Sequence, residues 1–286
     1  MKKLFLSLLF VGWGIMALAQ ENGLNPIYQI YVNDLKYNVP DKDVTVGRVI
    51  GAIAEAATGK ICDIRYTEYV PALNAKVKGA FSDVLRVTVL NNQNAQLDYS
   101  FTGEITNLAT TSTTRLNEYK NSDGKIVRET IIKYETNISV SITMTSANGA
   151  TRTHNFTGYG ISDYLFSTAE KSINMAIGSL SDNITKFFNS QFPITANVIE
   201  RGTEKKDKQK GLYIDVGSYN KVHRDLHFGV YVVGNVAGRE TRKQVGKLIV
   251  TEVLGDNISA CKVQSGGKEI KLALDEDKNV VAISTK

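Results

Sequence analysis

The chain has 286 residues, 34 Lys+Arg against 29 Asp+Glu and a formal net charge of +5, enough for two modest domains with real cores. The charge excess is too small to argue for a nucleic-acid partner, and without Lys2 and Lys3 it falls to 32 against 29, or +3. No segment beyond the first residues approaches 18 uninterrupted apolar residues, so no transmembrane helix is expected.

Lys2 and Lys3, the uncharged run from Leu4 to Met16, and Ala17-Leu18-Ala19 before Gln20 have the n-, h- and c-regions of a secretory signal peptide. The expected processed chain starts at Gln20, so residues 1–19 are set apart from the folded part. Cys62 and Cys261 are the only two cysteines in a chain expected to be exported. Each sits among apolar neighbours, which favours two buried small hydrophobes; a disulfide is the alternative.

Ile27–Leu35 is rich in β-branched and aromatic residues and predicts a first strand. Asp43 or Thr45 can cap a helix carrying Val46, Val49, Ile50, Ile53, Ala54 and Ala57 as far as Gly59. A second helix is expected from Val70 to Leu85, with Pro71 in its first turn and Leu73, Val77, Phe81, Val84 and Leu85 inward. Arg86–Leu90 reads as a strand.

Leu97–Ile105 is expected to pair beside Ile138–Phe156. There Ile138, Val140, Ile142 and Met144 fall on one face, and Ala147-Asn148-Gly149 supplies the turn. Between them Asn121-Ser122-Asp123-Gly124 should close a second hairpin, running Ile126–Thr136 back along Thr106–Tyr119. Strict alternation over Thr102–Arg115 and Ile126–Thr136 gives no apolar band on either face, so membrane insertion of this hairpin is not expected. Leu165–Phe188 then makes one helical stripe through Phe166, Ala169, Ile173, Ala176, Ile177, Leu180, Ile184 and Phe187. Ile194–Ile199 is expected to close the first domain, residues 20–200, as a strand.

Arg201–Lys210 has no apolar residue and reads as a charged linker. From Gly211 to Lys286 short strands are expected at Leu212–Val216, His227–Val233, Lys247–Val253, Ile258–Val263, Lys268–Leu274 and Asn279–Ile283. Six such strands in about 75 residues point to a small barrel.

The first strand and helices, Tyr99-Ser100-Phe101-Thr102-Gly103-Glu104-Ile105, the Ala147-Asn148-Gly149 hairpin and a long helix ending in Phe187-Phe188…Phe192-Pro193 resemble the periplasmic domain of the curli secretion channel (CsgG) family. They are equally similar to the TolB-N-like and penicillin-binding-protein-activator domains. Phe228-Gly229-Val230-Tyr231 and Gly246–Val253 through Gly267–Ile270 resemble the C-terminal SH3-like barrel of the flagellar ring protein FlgT. The resemblance implies an α+β fold, a CsgG/TolB-N-like α/β sandwich followed by a small SH3-like barrel. It also implies an exported component of a cell-envelope machine, either periplasmic or associated with the outer membrane from the periplasm. Its implied partners are envelope proteins, with self-association possible. Curli channels are lipoproteins, whereas no cysteine lies near the expected cleavage site here; a curli-type oligomeric export channel is the alternative.

Chemistry is sparsely signalled. There are three histidines, and no Gly-x-Ser-x-Gly, phosphate-binding Gly-rich loop, Cys-x-x-Cys or His-Glu-x-x-His. No catalytic residue, cofactor or metal is therefore expected, and the chain is read as a non-enzyme. His223, Asp225 and His227 would share a face if extended and could then meet a metal; a solvated turn leading into Phe228-Gly229-Val230-Tyr231 is the competing reading. His154, beside Arg152 and Phe156, reads as a surface or edge histidine. The Asn-x-Ser/Thr sites at Asn137, Asn155, Asn183 and Asn257 are read as chance in a chain of bacterial resemblance.

Overall fold

The computed structural model describes residues 25–37, 65–93, 95–163 and 167–285. The expected leader, the helix to Gly59, Cys62 and Phe166 lie outside them. Among the described residues two compact units result: a sheet unit within residues 29–37, 65–83, 87–93, 95–163 and 167–187, and a barrel unit of residues 25–28, 84–86 and 188–285. The architecture is α+β, a mixed sheet with helices and a closed six-stranded barrel.

In the sheet unit β1 (Tyr28–Val32) runs parallel to β4 (Tyr99–Lys120), with Ile30 opposite Tyr99 and Val32 opposite Phe101. The short β2 (Lys36–Tyr37) continues along the same strand. A 3-10 turn at Tyr66–Tyr69 leads into α1 (Val70–Ser82), and β3 (Val87–Val89) follows. β4 then pairs antiparallel with β5 (Ile126–Ser146), and β5 with β6 (Thr151–Ser162), giving the order β3-β1-β4-β5-β6. Both hairpins turn where sequence chemistry places them. Gly124 at φ +76° and Gly149 at φ +82° occupy left-handed conformations that cost glycine least.

Helix α1 buries Leu73, Val77, Ala80 and Phe81, the last packed on Phe101 with ring centroids 4.4 Å apart. The expected inward residues Val84 and Leu85 are buried too, but beyond the helix end. Helix α2 (Ala169–Gln191) buries Ile173, Ala176, Ile177, Leu180 and Ile184 on the expected stripe. It reaches β6 through two glycines. A Cβ on Gly158 would lie 2.2 Å from the Ala176 carbonyl oxygen, and one on Gly160 2.0 Å from that of Ser172.

The barrel unit closes in the order β10-β13-β12-β11-β14-β7. These strands are β7 (Thr195–Arg201), β10 (Gly211–Ile214), β11 (His227–Val236), β12 (Arg239–Val253), β13 (Ser259–Ser265) and β14 (Val280–Thr285). Leu212, Ile214, Phe228, Val230, Leu248, Val250 and Cys261 fill its core. Closure pairs the strands edge to edge within the barrel, while 233–236 of β11 and 239–246 of β12 run on beyond it, their strand pairing among the described residues confined to the β11–β12 ladder.

Three expectations are corrected here. Thr195–Arg201 is a barrel strand, between β10 and β14, and not the last strand of the first domain. Its inward Ala196 has barrel partners far away in sequence, so chain order alone gave no hint of them. Residues 201–210 are not a linker. Glu204–Lys205 (β8) and Lys208–Gln209 (β9) pair as a short hairpin, and the side chain of Gln209 is fully buried, its Nε2 donating to the Gly211 carbonyl at 2.6 Å. Lys268–Leu274 is not a strand but most of helix α3 (Gly267–Asp275). Its apolar residues fit both periods; the helix buries Ile270 and Ala273 and leaves Leu272 57% exposed.

Candidate interaction surface: the long β4–β5 hairpin

β4 and β5 are continuous over 22 and 21 residues. Their pairing runs unbroken in partners from Tyr99 opposite Ser146 to Lys120 opposite Ile126, except for one register shift between Ile105 and Asn107. That shift makes Thr106 an extra residue. A single-residue bulge exchanges the faces of every position beyond it. Phe101 and Ile105 before it, and Leu108 and Thr110 after it, are consequently all buried on the core face. Strict alternation across Thr102–Arg115 therefore mixed residues from the two faces.

At Leu108 the apolar core gives way to a polar layer. Thr110 and Thr136 share a hydrogen bond of 2.9 Å, Thr136 and Ser172 one of 2.7 Å, and Ser172 Oγ donates to the Ala169 carbonyl at 2.8 Å. The Thr110 N–H, on the outer edge of β4, donates to the Tyr66 hydroxyl at 2.8 Å. All four side chains are buried. Being mutually satisfied, they close this face of the core at low desolvation cost, while on the other face Ile131 of β5 is buried further along the hairpin.

Beyond this layer the hairpin becomes a two-stranded ribbon. The last β5–β6 pair is Tyr134 with Ser162, and the described residues of β2 pair with β4 at Glu104 and Ile105. Among the described residues, 113–120 and 126–133 therefore pair only with each other. Eight residues per arm extend about 27 Å at the rise of an antiparallel strand.

With the bulge counted, the two ribbon faces differ in charge. Ser112, Thr114 and Leu116 face the same way as their partners Tyr134, Ile132 and Thr130, an uncharged surface that ends at the Glu118–Arg128 pair. The opposite face carries Glu129, Lys133 and Glu135. Lys133 bonds Glu135 at 2.5 Å, and the Tyr159 hydroxyl donates to the same carboxylate at 3.0 Å. These two bonds hold the Glu135 carboxyl below its ordinary range. Near the tip Leu116 is 64% exposed, Ile126 57% and Tyr119 42%, with the Tyr119 hydroxyl donating to Glu129. Leu116 and Ile126 lie on the side of the uncharged face, Ile126 past the Glu118–Arg128 pair, and Tyr119 lies on the other; large apolar side chains this open near the end of the ribbon mark a contact surface. Sequence reasoning placed the hairpin but missed Leu116, Tyr119 and Ile126; their closeness in sequence to the Asn121–Gly124 turn was the available signal.

The histidines come to rest elsewhere. Asp225 has φ +69°, and the Leu226 N–H donates to the His223 carbonyl, so His223–His227 is a turn and not an extended face. His223 Nδ1 lies 2.8 Å from the Arg224 carbonyl oxygen, and His227 Nδ1 lies 3.1 Å from Gln264 Oε1. No group of three metal-ligating side chains forms among the described residues. His154 lies on β6 at the edge of the sheet, half-buried against Phe187 at 4.5 Å between ring centroids. In the barrel unit a groove of about 290 Å³ runs between β9 and the start of α3, lined by Lys208, Lys210 and Lys268 among others. No described helix is long and apolar enough to cross a membrane.

No known family matches the sequence, and no curated protein does. Among solved structures the chain is similar to a protein of Xanthomonas campestris assigned to DUF330, at 10% identity and a TM-score of 0.37, covering 59% of this chain and 89% of that one.

Proposed function

We propose that the chain is a non-catalytic, exported component of a cell-envelope assembly that engages protein partners through the β4–β5 ribbon. The observation that carries this reading is the ribbon itself, two arms extending past the end of β6 with Leu116, Tyr119 and Ile126 open at the tip. Its backbone edges can accept a further strand, and its tip offers the apolar anchors on which contacts between proteins depend. The CsgG- and FlgT-like sequence features set the compartment of the proposal, the periplasm.

One observation favours a second reading, a curli-type oligomeric channel subunit. Once the Thr106 bulge is counted, the ribbon has one uncharged face, and strands of about ten residues suffice to cross a bilayer. Light scattering of the purified chain with and without mild detergent separates the two. The adaptor reading expects a monomer or small oligomer indifferent to detergent, and a photo-crosslinker at Leu116 that captures an envelope protein. A ring of many subunits appearing only in detergent would replace it with the channel.

A further inference from the structure

The sheet unit has a second open edge with different properties. β6 is 12 residues long, pairs with β5 in perfect register from Thr151 to Ser162, and has no neighbour on its other side among the described residues. Proteins blunt such edges with short strands, prolines, bulges or charges. At the opposite end of the sheet β3 has only three residues, and the ribbon is laced with the Arg128–Glu118 and Lys133–Glu135 pairs. β6 has none of these devices: no proline, no bulge, no acidic residue or lysine, and Arg152 as its one full charge.

Asn183 of α2 shows which backbone groups point outward, because its Nδ2 donates to the Thr157 carbonyl at 2.8 Å. In an antiparallel ladder N–H and C=O of one residue point the same way and alternate along the strand. Thr151, Thr153, Asn155, Thr157 and Tyr159 therefore present theirs to the outside. Their side chains are exposed, neutral and mostly β-branched.

We propose that this edge pairs antiparallel with the same edge of a second copy, across a two-fold axis at Asn155. The choice of a second copy rests on self-complementarity. In this register Thr153 meets Thr157 of the second copy, Thr151 meets Tyr159, and Asn155 meets itself, forming about ten backbone hydrogen bonds. No like charges oppose one another. The two Arg152 side chains start about 20 Å apart, well beyond the roughly 8–10 Å over which salt leaves exposed charges in contact. On the other face His154 stands opposite Phe156 of the second copy. His154 and Phe156 are each already stacked on the half-buried Phe187, at 4.5 and 5.3 Å between centroids, so two aromatic groups meet at the axis. Asn183 occupies the Thr157 carbonyl in the single chain and swings aside on pairing.

The test is sedimentation or light scattering of the full chain over a concentration series, for the parent and for Asn155→Lys and Thr157→Pro. Lysine places two ammonium groups opposite each other at the axis, and proline removes an outward N–H while leaving the β5 ladder intact. We expect a dimer that both variants weaken by at least about tenfold, with unchanged circular dichroism and melting temperature, and that Asn183→Ala strengthens. The dimer should survive Leu116→Ser and Ile126→Ser, which separates this edge from the ribbon. A parent that stays monomeric up to about 1 mM, or an oligomer that folded Asn155→Lys and Thr157→Pro variants leave unchanged, overturns the proposal.

Discussion

Asp215 grips Asn197 at both ends, accepting the Asn197 backbone N–H at 2.6 Å and its side-chain Nδ2 at 2.7 Å, while the Asp215 N–H donates back to the Asn197 carbonyl at 3.1 Å. This contact lies at the seam between β7 and β10, just past a register shift at Tyr213/Ile214. β7 is the strand that closes the barrel, so the clamp replaces ladder bonds where the regular pairing ends. Hydrogen bonds to a charged group are worth about 1.5–3 kcal/mol, and the partners left behind are half-buried. Asp215→Ala is expected to destabilise the barrel unit by about 2–3 kcal/mol, and Asp215→Asn by less, since one acceptor remains. Urea titration followed by tyrosine fluorescence checks this; equal stability of Asp215→Ala and parent would show that the clamp is solvated and dispensable.

The contact of α2 with β6 depends on the absence of two side chains. At Gly158 and Gly160 the atoms a methyl group would strike are backbone, the Ala176 and Ser172 carbonyl oxygens, and neither can rotate away. The helix must lift, which separates Ile173, Ala176 and Leu180 from the sheet and strains the Thr136–Ser172 hydrogen bond. Gly160→Ala is expected to cost at least about 3 kcal/mol, the upper range for overpacking, and Gly158→Ala nearly as much. Gly178, with open space around its Cβ direction, is the control. Gly178→Ala in the same helix should be neutral or stabilising by up to about 1 kcal/mol. A Gly160→Ala protein melting with the parent would mean that the helix can ride higher without loss.

Local chemistry made much of the fold legible: the Asp-Gly and Asn-Gly turns, the start of α1 with Pro71 in its first turn, and the apolar stripe of α2 are where periodicity and turn residues place them. Four features were not. The Thr106 bulge inverts the faces of β4 and leaves no compositional mark, because threonine suits either face. Thr195–Arg201 follows α2 directly, yet its partners are β10 and β14, pairings set by closure of a barrel and not by neighbouring sequence. The hydrophilic Lys208–Gln209 segment reads as a tether because polar residues that bond backbone carbonyls, as Gln209 does, look the same in sequence as residues that bond water. The ribbon tip was hidden for a different reason: periodicity shows which way Leu116 points relative to its neighbours, but not that it stays exposed among the described residues.

Lys268–Leu274 provides a direct test of one such ambiguity. As a strand it would put Ile270, Leu272 and Leu274 on one face; as α3 it separates the fully buried Ile270 from the exposed Leu272. The helix is further tied down by ion pairs of Lys271 with Glu204 at 3.0 Å and of Asp275 with Arg201 at 2.5 Å. Ile270→Ala is therefore expected to destabilise by about 2–4 kcal/mol, whereas Leu272→Lys should stay within about 0.5 kcal/mol of the parent. Thermal melts of the two variants decide. Equal losses at 270 and 272 would favour the strand.

Cys261 carries a free thiol buried in the barrel core, and burial pushes its pKa up to about 12. The thiolate is the reactive form, so Cys261 should resist alkylation at pH 8 in the native chain and label readily in urea, as peptide mapping will show. The same shift gives a pH effect with a definite sign. The folded pKa lies above that of an unfolded thiol, so below about pH 8.5 both states hold the proton and the stability contribution is complete. As pH rises from there towards 12 the unfolded chain loses the proton first, and stability falls by up to about 1.4 kcal/mol per pH unit. Lys133, Lys268 and Lys271, raised first of all by hydrogen bonds to Glu135, Asp207 and Glu204, act in the same direction. Comparing the parent with Cys261→Ala isolates the thiol: the variant should lose stability less steeply between pH 9 and 11. Native alkylation of Cys261 at pH 8, or parallel pH profiles for parent and variant, would show that the thiol is open to water and that the barrel breathes at β13.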